Sequence, residues 1–442
     1  MSRSPRAREI AVRRLLRVED DGAFVARLGN DALDPAETRR ASGFVAGVTR
    51  QRRWLDFLLD AFYRGDVEAL QPELRQILRV GLYDLVVRET PPHAAVSEAV
   101  AAARVLLHRG AAGLTNAVLR AASRAHAAGT LPEPSTGNVA GDLAVRYSHP
   151  TWLVKRWLAR WPRDEVEALL TADNAAPAFG LRVNTLRATR DEVLGRLRAM
   201  GVDARPSEYL DDAVVTRQLQ PVLRSELVGE GVLAVQDEAA ALVVRVLDPQ
   251  PGEAVLDAAA APGGKAIAAA IRMGDRGRLV ALDLSEAKTR LVAEAAGRHG
   301  VSIVEAVAGD LLTWEPDAVF DRVLLDAPCS GTGVLAKRAD LRWNRSPEDV
   351  ASLAELQDAL LDAAARHVRP GGTLVYSTCS IEPEENEDRV GAFVERHRDF
   401  SPVTVGDSVP AAMVRPDGTY AALPHVHGTD GAFAARLLRS PT

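Results

Sequence analysis

Asp257-Ala-Ala-Ala-Ala-Pro-Gly-Gly-Lys265 closes a short apolar run, Ala254–Asp257, and opens directly into a helical pattern. A glycine turn between strand and helix lets backbone N–H groups approach a ligand closely. Three cofactor classes use such a turn, and the letters exclude two of them. A phosphate-binding P-loop needs glycine where Ala259 stands and a hydroxyl residue where Ala266 follows Lys265. A nicotinamide fingerprint needs GxGxxG, which residues 257–265 lack.

Around this turn the chain alternates apolar strands with helices. Residues 254–257, 279–283, 303–307, 322–326 and 373–377 read as strands, which implies a mostly parallel, doubly wound sheet. Ligands bind beyond the carboxyl ends of such strands, near the point where strand order reverses. Chemistry is therefore expected just after each strand. Asp283, 20 residues after Gly263, ends the second strand and suits the ribose hydroxyls of an adenosine-containing cofactor. Asp310, after the third strand, is placed to accept from an adenine amino group. Either aspartate alone would be read as a cap or turn residue, but such sites recur at successive strand ends.

The fourth strand runs into Asp326-Ala-Pro-Cys-Ser330 and the fifth into Ser377-Thr-Cys-Ser380, so the only two cysteines, Cys329 and Cys379, both lie at strand ends. A pair of buried core thiols is the bland alternative, and a redox pair lacks CxxC spacing. The placement suits cytosine C5 methylation. C5 is a poor nucleophile until a thiolate adds at C6 and makes the ring enamine-like. An acid near N3 must balance the charge and a base must remove the C5 proton. Asp326 and Cys329 fit these two jobs, with partial burial expected to keep Asp326 protonated or sharing a proton.

The rest of the chain frames this site. With 442 residues, two or three domains are expected, and 47% hydrophobic and 26% charged residues place the chain in the soluble globular class. No apolar run is long enough to span a bilayer. Met1 to Arg8 carries three arginines but no apolar signal core follows, so no export signal is read and a cytoplasmic location is expected. No CxxC or HExxH accompanies the nine histidines, and His425 and His427 have no further ligands in sequence, so no metal is expected. The net charge of -6 divides unevenly. Residues 1–130 carry 20 arginines, no lysine and 15 acids, hence +5, which leaves -11 for the remainder. This basic front end is helical by pattern, as in Val96, Ala99, Val100, Ala103 and Leu106, and permits RNA binding.

Together these residues resemble the bacterial small-subunit rRNA cytosine-5 methyltransferases of the RsmB/Sun group, over nearly the whole chain. The resemblance rests on residues 260–265, Asp283, Asp310, residues 326–330, residues 378–380 and residues 427–433. Residues 1–125 resemble the helical NusB-type RNA-binding domain, notably in residues 77–83, 97–100 and 116–120, and residues 182–184 and 235–238 resemble the family's pre-catalytic segment. The resemblance implies a multidomain protein: an N-terminal all-α NusB-like bundle (1–130), a linker (131–142), a small mixed α/β subdomain (143–240) and a Rossmann-like class I methyltransferase domain (241–442). It implies that Ala259, Ala260, Ala261, Pro262, Gly263, Gly264, Lys265, Asp283, Asp310 and Asp326 bind S-adenosylmethionine. Cys379 then forms the covalent adduct and Cys329 assists release. The implied partner is RNA, 16S rRNA or an assembling small ribosomal subunit, with no membrane and no metal. Ala259 departs from a frequent cysteine and Ala432 from a frequent phenylalanine. Lys337 and Arg338 are candidates for holding RNA phosphate. The competing readings are a tRNA or DNA cytosine-5 methyltransferase, the latter with Cys329 as nucleophile, and a non-catalytic RNA-binding assembly factor.

Overall fold

The computed structural model describes residues 6–20, 34–316 and 318–441, without the side chains of Asp20 and Pro35; Met1 to Pro5 of the arginine-bearing leader lie outside it. The chain forms two compact units. One holds the described residues up to Ala175 together with Lys337–Asn344, and the other holds Ala176–Ala336 and the described residues from Arg345 onward.

The first unit is helical: α1 (Ala7–Asp20), α2 (Pro35–Phe62), α3 (Pro72–Leu82), α4 (Pro92–Leu106), α5 (Arg109–Ala127), α6 (Val139–Arg146), α7 (Thr151–Arg160) and α8 (Arg163–Asn174). The apolar stripes meet as their spacing requires, with Leu74, Ile77 and Leu78 of α3 buried against Val96, Ala99 and Ala103 of α4 in one cluster. Pro91 caps α4 and Pro92 is its first residue, and the His108 side chain caps α5 by accepting from the Ala111 N–H. Buried charge is paired. Arg79 grips both carboxylate oxygens of Asp56, at 2.6 and 3.0 Å, and donates to Glu19 at 2.9 Å.

The compact units divide at Ala175, whereas composition placed the boundary in residues 131–142. That stretch is irregular until α6 begins, but α6 to α8 pack with the preceding helices. The segment Lys337–Asn344, far along the chain, joins them. Buried Arg342 donates to the carbonyls of Ser148 and Asp173, each at 3.1 Å, and to Asn174 Oδ1 at 2.9 Å. The Trp343 indole N–H donates to the Thr49 carbonyl at 2.6 Å. Pro and Gly punctuation marks where backbone bends, not which helices share a core, so such an insertion leaves no compositional trace.

The second unit begins with a four-stranded antiparallel sheet, order β2-β3-β1-β4, made of β1 (Phe179–Val183), β2 (Ala204–Pro206), β3 (Ala213–Thr216) and β4 (Leu233–Val235). Helices α9 (Arg190–Ala199), α10 (Leu219–Leu223) and α11 (Glu226–Gly229) accompany it. Then α12 (Glu238–Leu247) leads into β5 (Ala254–Asp257), α13 (Gly264–Arg272), β6 (Arg278–Asp283), α14 (Glu286–His299), β7 (Val304–Ala308) and β8 (Phe320–Asp326). After these come α15 (Pro347–Arg366), β9 (Val368–Thr378), α16 (Glu387–Arg396), β10 (Phe400–Val403), β11 (Tyr420–Ala422), α17 (Pro424–His427) and β12 (Ala432–Arg439).

The large sheet has the order β10-β12-β9-β8-β5-β6-β7, with β11 on β12. Strands β5 to β9 are parallel, and β12 is antiparallel to β9. Both faces are covered, which is why the strands read as continuous apolar runs. Val255, Leu279, Ala281, Leu324 and Val375 bury toward α12 and α13, while Leu256, Val280, Leu282, Val323 and Tyr376 bury toward α15 and α16.

Because Arg342 supplies charge-assisted bonds to the Ser148 and Asp173 carbonyls and to Asn174, Arg342→Ala should destabilise the first unit by about 2–3 kcal/mol. Faster amide exchange in α7 and α8 would register it; unchanged protection would mean these contacts carry no net stability.

Candidate active site

Strand order reverses at β5, whose neighbours β6 and β8 lead away in opposite directions, so a crevice opens at the carboxyl ends of these strands. The 257–265 turn lies there. It is tied to both neighbours, the Ala258 N–H donating to Leu324 of β8 at 2.8 Å and the Ala260 N–H to Leu282 of β6 at 2.9 Å. Gly263 starts α13 at a φ of 101°, a left-handed conformation that side chains rarely adopt, and an added Cβ would meet Val292 at 3.3 Å. Asp283 closes the turn from β6. Its carboxylate accepts from the Ala261 N–H at 3.3 Å and the Ser285 N–H at 3.2 Å. Asp310 is exposed and orders its own turn, accepting from the Leu312 N–H at 3.0 Å.

Asp257 lies at the floor of this turn, 2% exposed, and neither carboxylate oxygen meets a donor in hydrogen-bond geometry among the described residues. Burial, then the neighbouring Asp326 charge, push its carboxyl up to about 7, against the opposing pull of Lys265 and the nearby Ala259 N–H. A buried carboxylate without a donor, backing a glycine turn braced by a second carboxylate, fits a cationic adenosine cofactor.

Register does the remaining assembly. β8 and β9 pair with Asp326 opposite Ser377, and the Ala327 N–H donates to the Ser377 carbonyl at 2.8 Å. Asp326 accepts from the Ser377 hydroxyl at 2.8 Å and from Lys265 Nζ at 2.6 Å. The Lys265 ammonium is thus held directly against Asp326, the residue read from the sequence as the acid. Burial alone would lower Lys265, but Asp326 outweighs it and holds the ammonium above its ordinary value.

Beyond these strand ends the two sulfurs lie 3.3 Å apart as free thiols, each partly open to solvent. Their surroundings differ in sign. The Cys329 S–H lowers Cys379 most; burial and then the Asp326 charge oppose, the Lys265 charge adds to the lowering, and Asp430 opposes it. Cys329 is pushed well above its ordinary value by the hydrogen bond to Cys379, by burial, and by the charges of Cys379 and Glu385. Cys379 is thus the more acidic thiol of the pair, and Cys329 keeps its proton more tightly.

Several residues that hold this arrangement escaped the sequence reading. Glu385, fully buried, accepts from the Ser330 N–H at 2.7 Å, from the Ser330 hydroxyl and from Gln357 Nε2 at 3.2 Å. Asn386 accepts from the Thr378 hydroxyl at 2.6 Å and donates to the Ser380 carbonyl at 2.9 Å. In sequence these belong to the acid-rich run 382–388, which reads as a solvated face; its position directly after the fifth strand was the available signal. The 427–433 segment also reaches the site. Gly431 N–H donates to Gly333, and Gly333 N–H to the Cys379 carbonyl, at 2.7 and 3.0 Å. A Cβ on Gly333 would lie 2.7 Å from that carbonyl and 2.8 Å from Gly431, so two glycine backbones must cross here.

Other singled-out residues lie elsewhere. Lys337 and Arg338 begin the segment assigned to the first unit. His427 caps its own turn, accepting from the Leu423 N–H at 2.9 Å. Ala432 is buried in β12. Among the described residues no group of three or more His, Cys, Asp or Glu could hold a metal ion, and no helix is long and apolar enough to cross a membrane.

The sheet order, the strand-end crevice and its turn define a Rossmann-like methyltransferase domain behind a helical NusB domain. Residues 244–438 match the family described as 16S rRNA methyltransferase RsmB/F, residues 5–124 the NusB family and residues 149–223 the RsmF/B-like ferredoxin-like domain. The probable ribosomal RNA small subunit methyltransferase B of Bacillus subtilis (strain 168) is 35% identical over 97% of this chain and 98% of its own length. The corresponding Serratia proteamaculans (strain 568) protein is 36% identical over 89% and 88%. Among solved structures, PH0851 superposes with a TM-score of 0.79 at 28% identity, covering 99% of this chain and 100% of that one. A methyltransferase homolog from Pyrococcus horikoshii gives 0.59 at 27%, covering 69% and 100%. The chain belongs to the RsmB/F family of rRNA methyltransferases.

Asp257 makes stability depend on pH. Its folded value, about 7, exceeds the unfolded one, so between about pH 4 and 7 only the folded chain keeps the proton, and stability falls as pH rises. The loss persists above pH 7 and reaches up to about 4 kcal/mol. Asp257→Asn should therefore melt higher than the parent at pH 8 without cofactor, with the gap closing toward pH 4. A pH-independent difference in scanning calorimetry would refute this.

Proposed function

We propose that this protein transfers a methyl group from S-adenosylmethionine to C5 of a cytosine in small-subunit 16S rRNA, through a covalent bond between Cys379 and C6. The observation that carries this reading is the 3.3 Å thiol pair, biased so that Cys379 is the more acidic, beside the Lys265–Asp326 ion pair. Residues 259–265, Asp283 and Asp310 hold the cofactor, with Asp257 behind them. S-adenosylmethionine supplies an electrophilic methyl group.

The chain's own groups do the rest. Cys379 adds to C6, and the displaced electron density is met at N3 by the Lys265–Asp326 pair, with Asp326 pointing the lysine proton inward. C5 becomes nucleophilic and is methylated. Cys329 first releases its S–H proton to solvent, to which it is partly open, and as thiolate takes the C5 proton; N3 returns its proton to Lys265, the S–C6 bond breaks and Cys379 leaves as thiolate. The target base must be out of its stack to meet the sulfur, so single-stranded or locally opened RNA is the substrate form.

The first unit supports RNA as partner. A groove of about 790 Å³ along α4 and α5 has an apolar floor of Val96 and Val100 and cationic walls that include Arg104 and Arg120. If these arginines hold phosphates, Arg104→Gln with Arg120→Gln should weaken RNA binding and flatten its salt dependence by about 0.7 per lost contact. Titration at several salt concentrations reads both; an unchanged slope removes the groove from the interface.

The two thiols are separated by what each leaves behind. Cys379→Ala should abolish methyl transfer and any covalent RNA complex. Cys329→Ala should still attack and methylate but stall before elimination, leaving protein bonded to RNA on a denaturing gel. An adduct from Cys379→Ala and none from Cys329→Ala would reverse the assignment to that of the DNA enzymes. Bisulfite mapping of 16S rRNA with and without the enzyme tests the substrate, since an unmethylated tract in both would exclude it.

A further inference from the structure

Arg182, in the 182–184 motif that the methyl-transfer reading leaves without a task, lies in the middle of β1 and is only 4% exposed. Its Nε donates to Gln236 Oε1 at 2.6 Å, but neither terminal nitrogen, Nη1 or Nη2, has a hydrogen-bond partner among the described residues. The side chain lines a cavity of about 220 Å³ bounded by α12 and α13, with Thr185, Asp211, Asp212, Arg245 and Arg272 also on its wall. The acids there are already engaged. Arg245 holds Asp211 at 2.6 Å and Asp212 at 3.0 Å, and Arg272 is paired with Asp248 at 3.1 Å. Arg182 alone keeps a planar edge of unspent N–H donors.

We propose that this cavity is an oxyanion site, taking a phosphate group on the Nη edge of Arg182 with Thr185 beside it. A buried guanidinium left without acceptors is costly, and two oxygens of a phosphate match its parallel N–H groups better than any single acceptor can. Burial holds Arg182 down to about 10 against the opposing pull of the Asp212 charge, so it is still charged at neutral pH. No residue lining the cavity belongs to the cofactor turn or the thiol pair, so the site is additional to the methyl-transfer machinery. The phosphate has two possible sources with the same chemistry, the RNA backbone and a free phosphate.

The full-length protein is titrated with inorganic phosphate by calorimetry, against sodium chloride at matched ionic strength. Saturable binding is expected, weakened about tenfold or more in Arg182→Gln, the loss of a bidentate charge-assisted contact. Ala268→Leu should weaken it similarly, because Ala268 lines the cavity and the larger side chain fills it while leaving Arg182 intact. Selenate diffused into crystals should be found by anomalous scattering against the Arg182 guanidinium, a readout that needs no variant. Displacement of phosphate by an RNA fragment identifies the backbone as source, and simultaneous binding identifies the free ion. Chloride-like behaviour of phosphate, ordered water alone at Arg182, or unchanged affinity in both folded variants would overturn the proposal.

Discussion

One hydrogen bond sets the geometry on which the site depends: the Ala327 N–H to the Ser377 carbonyl, the last rung of the β8–β9 ladder. It fixes Asp326 opposite Ser377 at the point where both strands end. From there each chain needs only two or three more residues to bring a cysteine forward, and the sulfurs meet at 3.3 Å. A slip of one residue in a parallel pair would turn Ser377 to the other face and part the thiols. The buried apolar faces of both strands resist that slip, since Leu324 and Val375 face one helical layer while Leu325 and Tyr376 face the other.

Once that register is set, the electrostatics follow from neighbours. Lys265 comes from the helix that opens after the glycine turn, so its ammonium is delivered to Asp326 by β5 and not by either cysteine-bearing strand. The same ammonium lowers Cys379, while buried Glu385 disfavours a second negative charge on Cys329. The leading cause of the difference is the hydrogen bond between the two sulfurs, and the charges of Lys265, Asp326 and Glu385 only adjust it. Preorganised charge of this kind is effective because the groups are fixed before substrate arrives.

Much of this was legible in the letters. The five parallel strands, the turn at 257–265, the aspartates ending β6 and β8 and the two strand-end cysteines all announce themselves through apolar runs cut short by small or acidic residues. What could not be read was relational. Nothing in the 382–388 acids says that Glu385 is buried, because burial depends on Gln357 and Ser330 from distant segments. Nor could spacing tell which groups meet Asp326; Lys265 and Ser377 reach its oxygens from two other elements. The extent of the first compact unit was out of reach for a related reason. Its boundary was sought in Pro and Gly content, whereas the unit is completed by eight residues that arrive after the fourth strand of the large sheet.

That late-arriving octapeptide changes what kind of fusion the molecule is. The path leaves the first unit at Ala175, returns for Lys337–Asn344 and leaves again. The helical module is therefore not a bead that one junction could exchange. A recombination at a single breakpoint would graft foreign carbonyls beneath Arg342 and a foreign acceptor beneath the Trp343 indole. Inheritance of the two modules is coupled at two places in the gene, and the second falls within ten residues of Cys329.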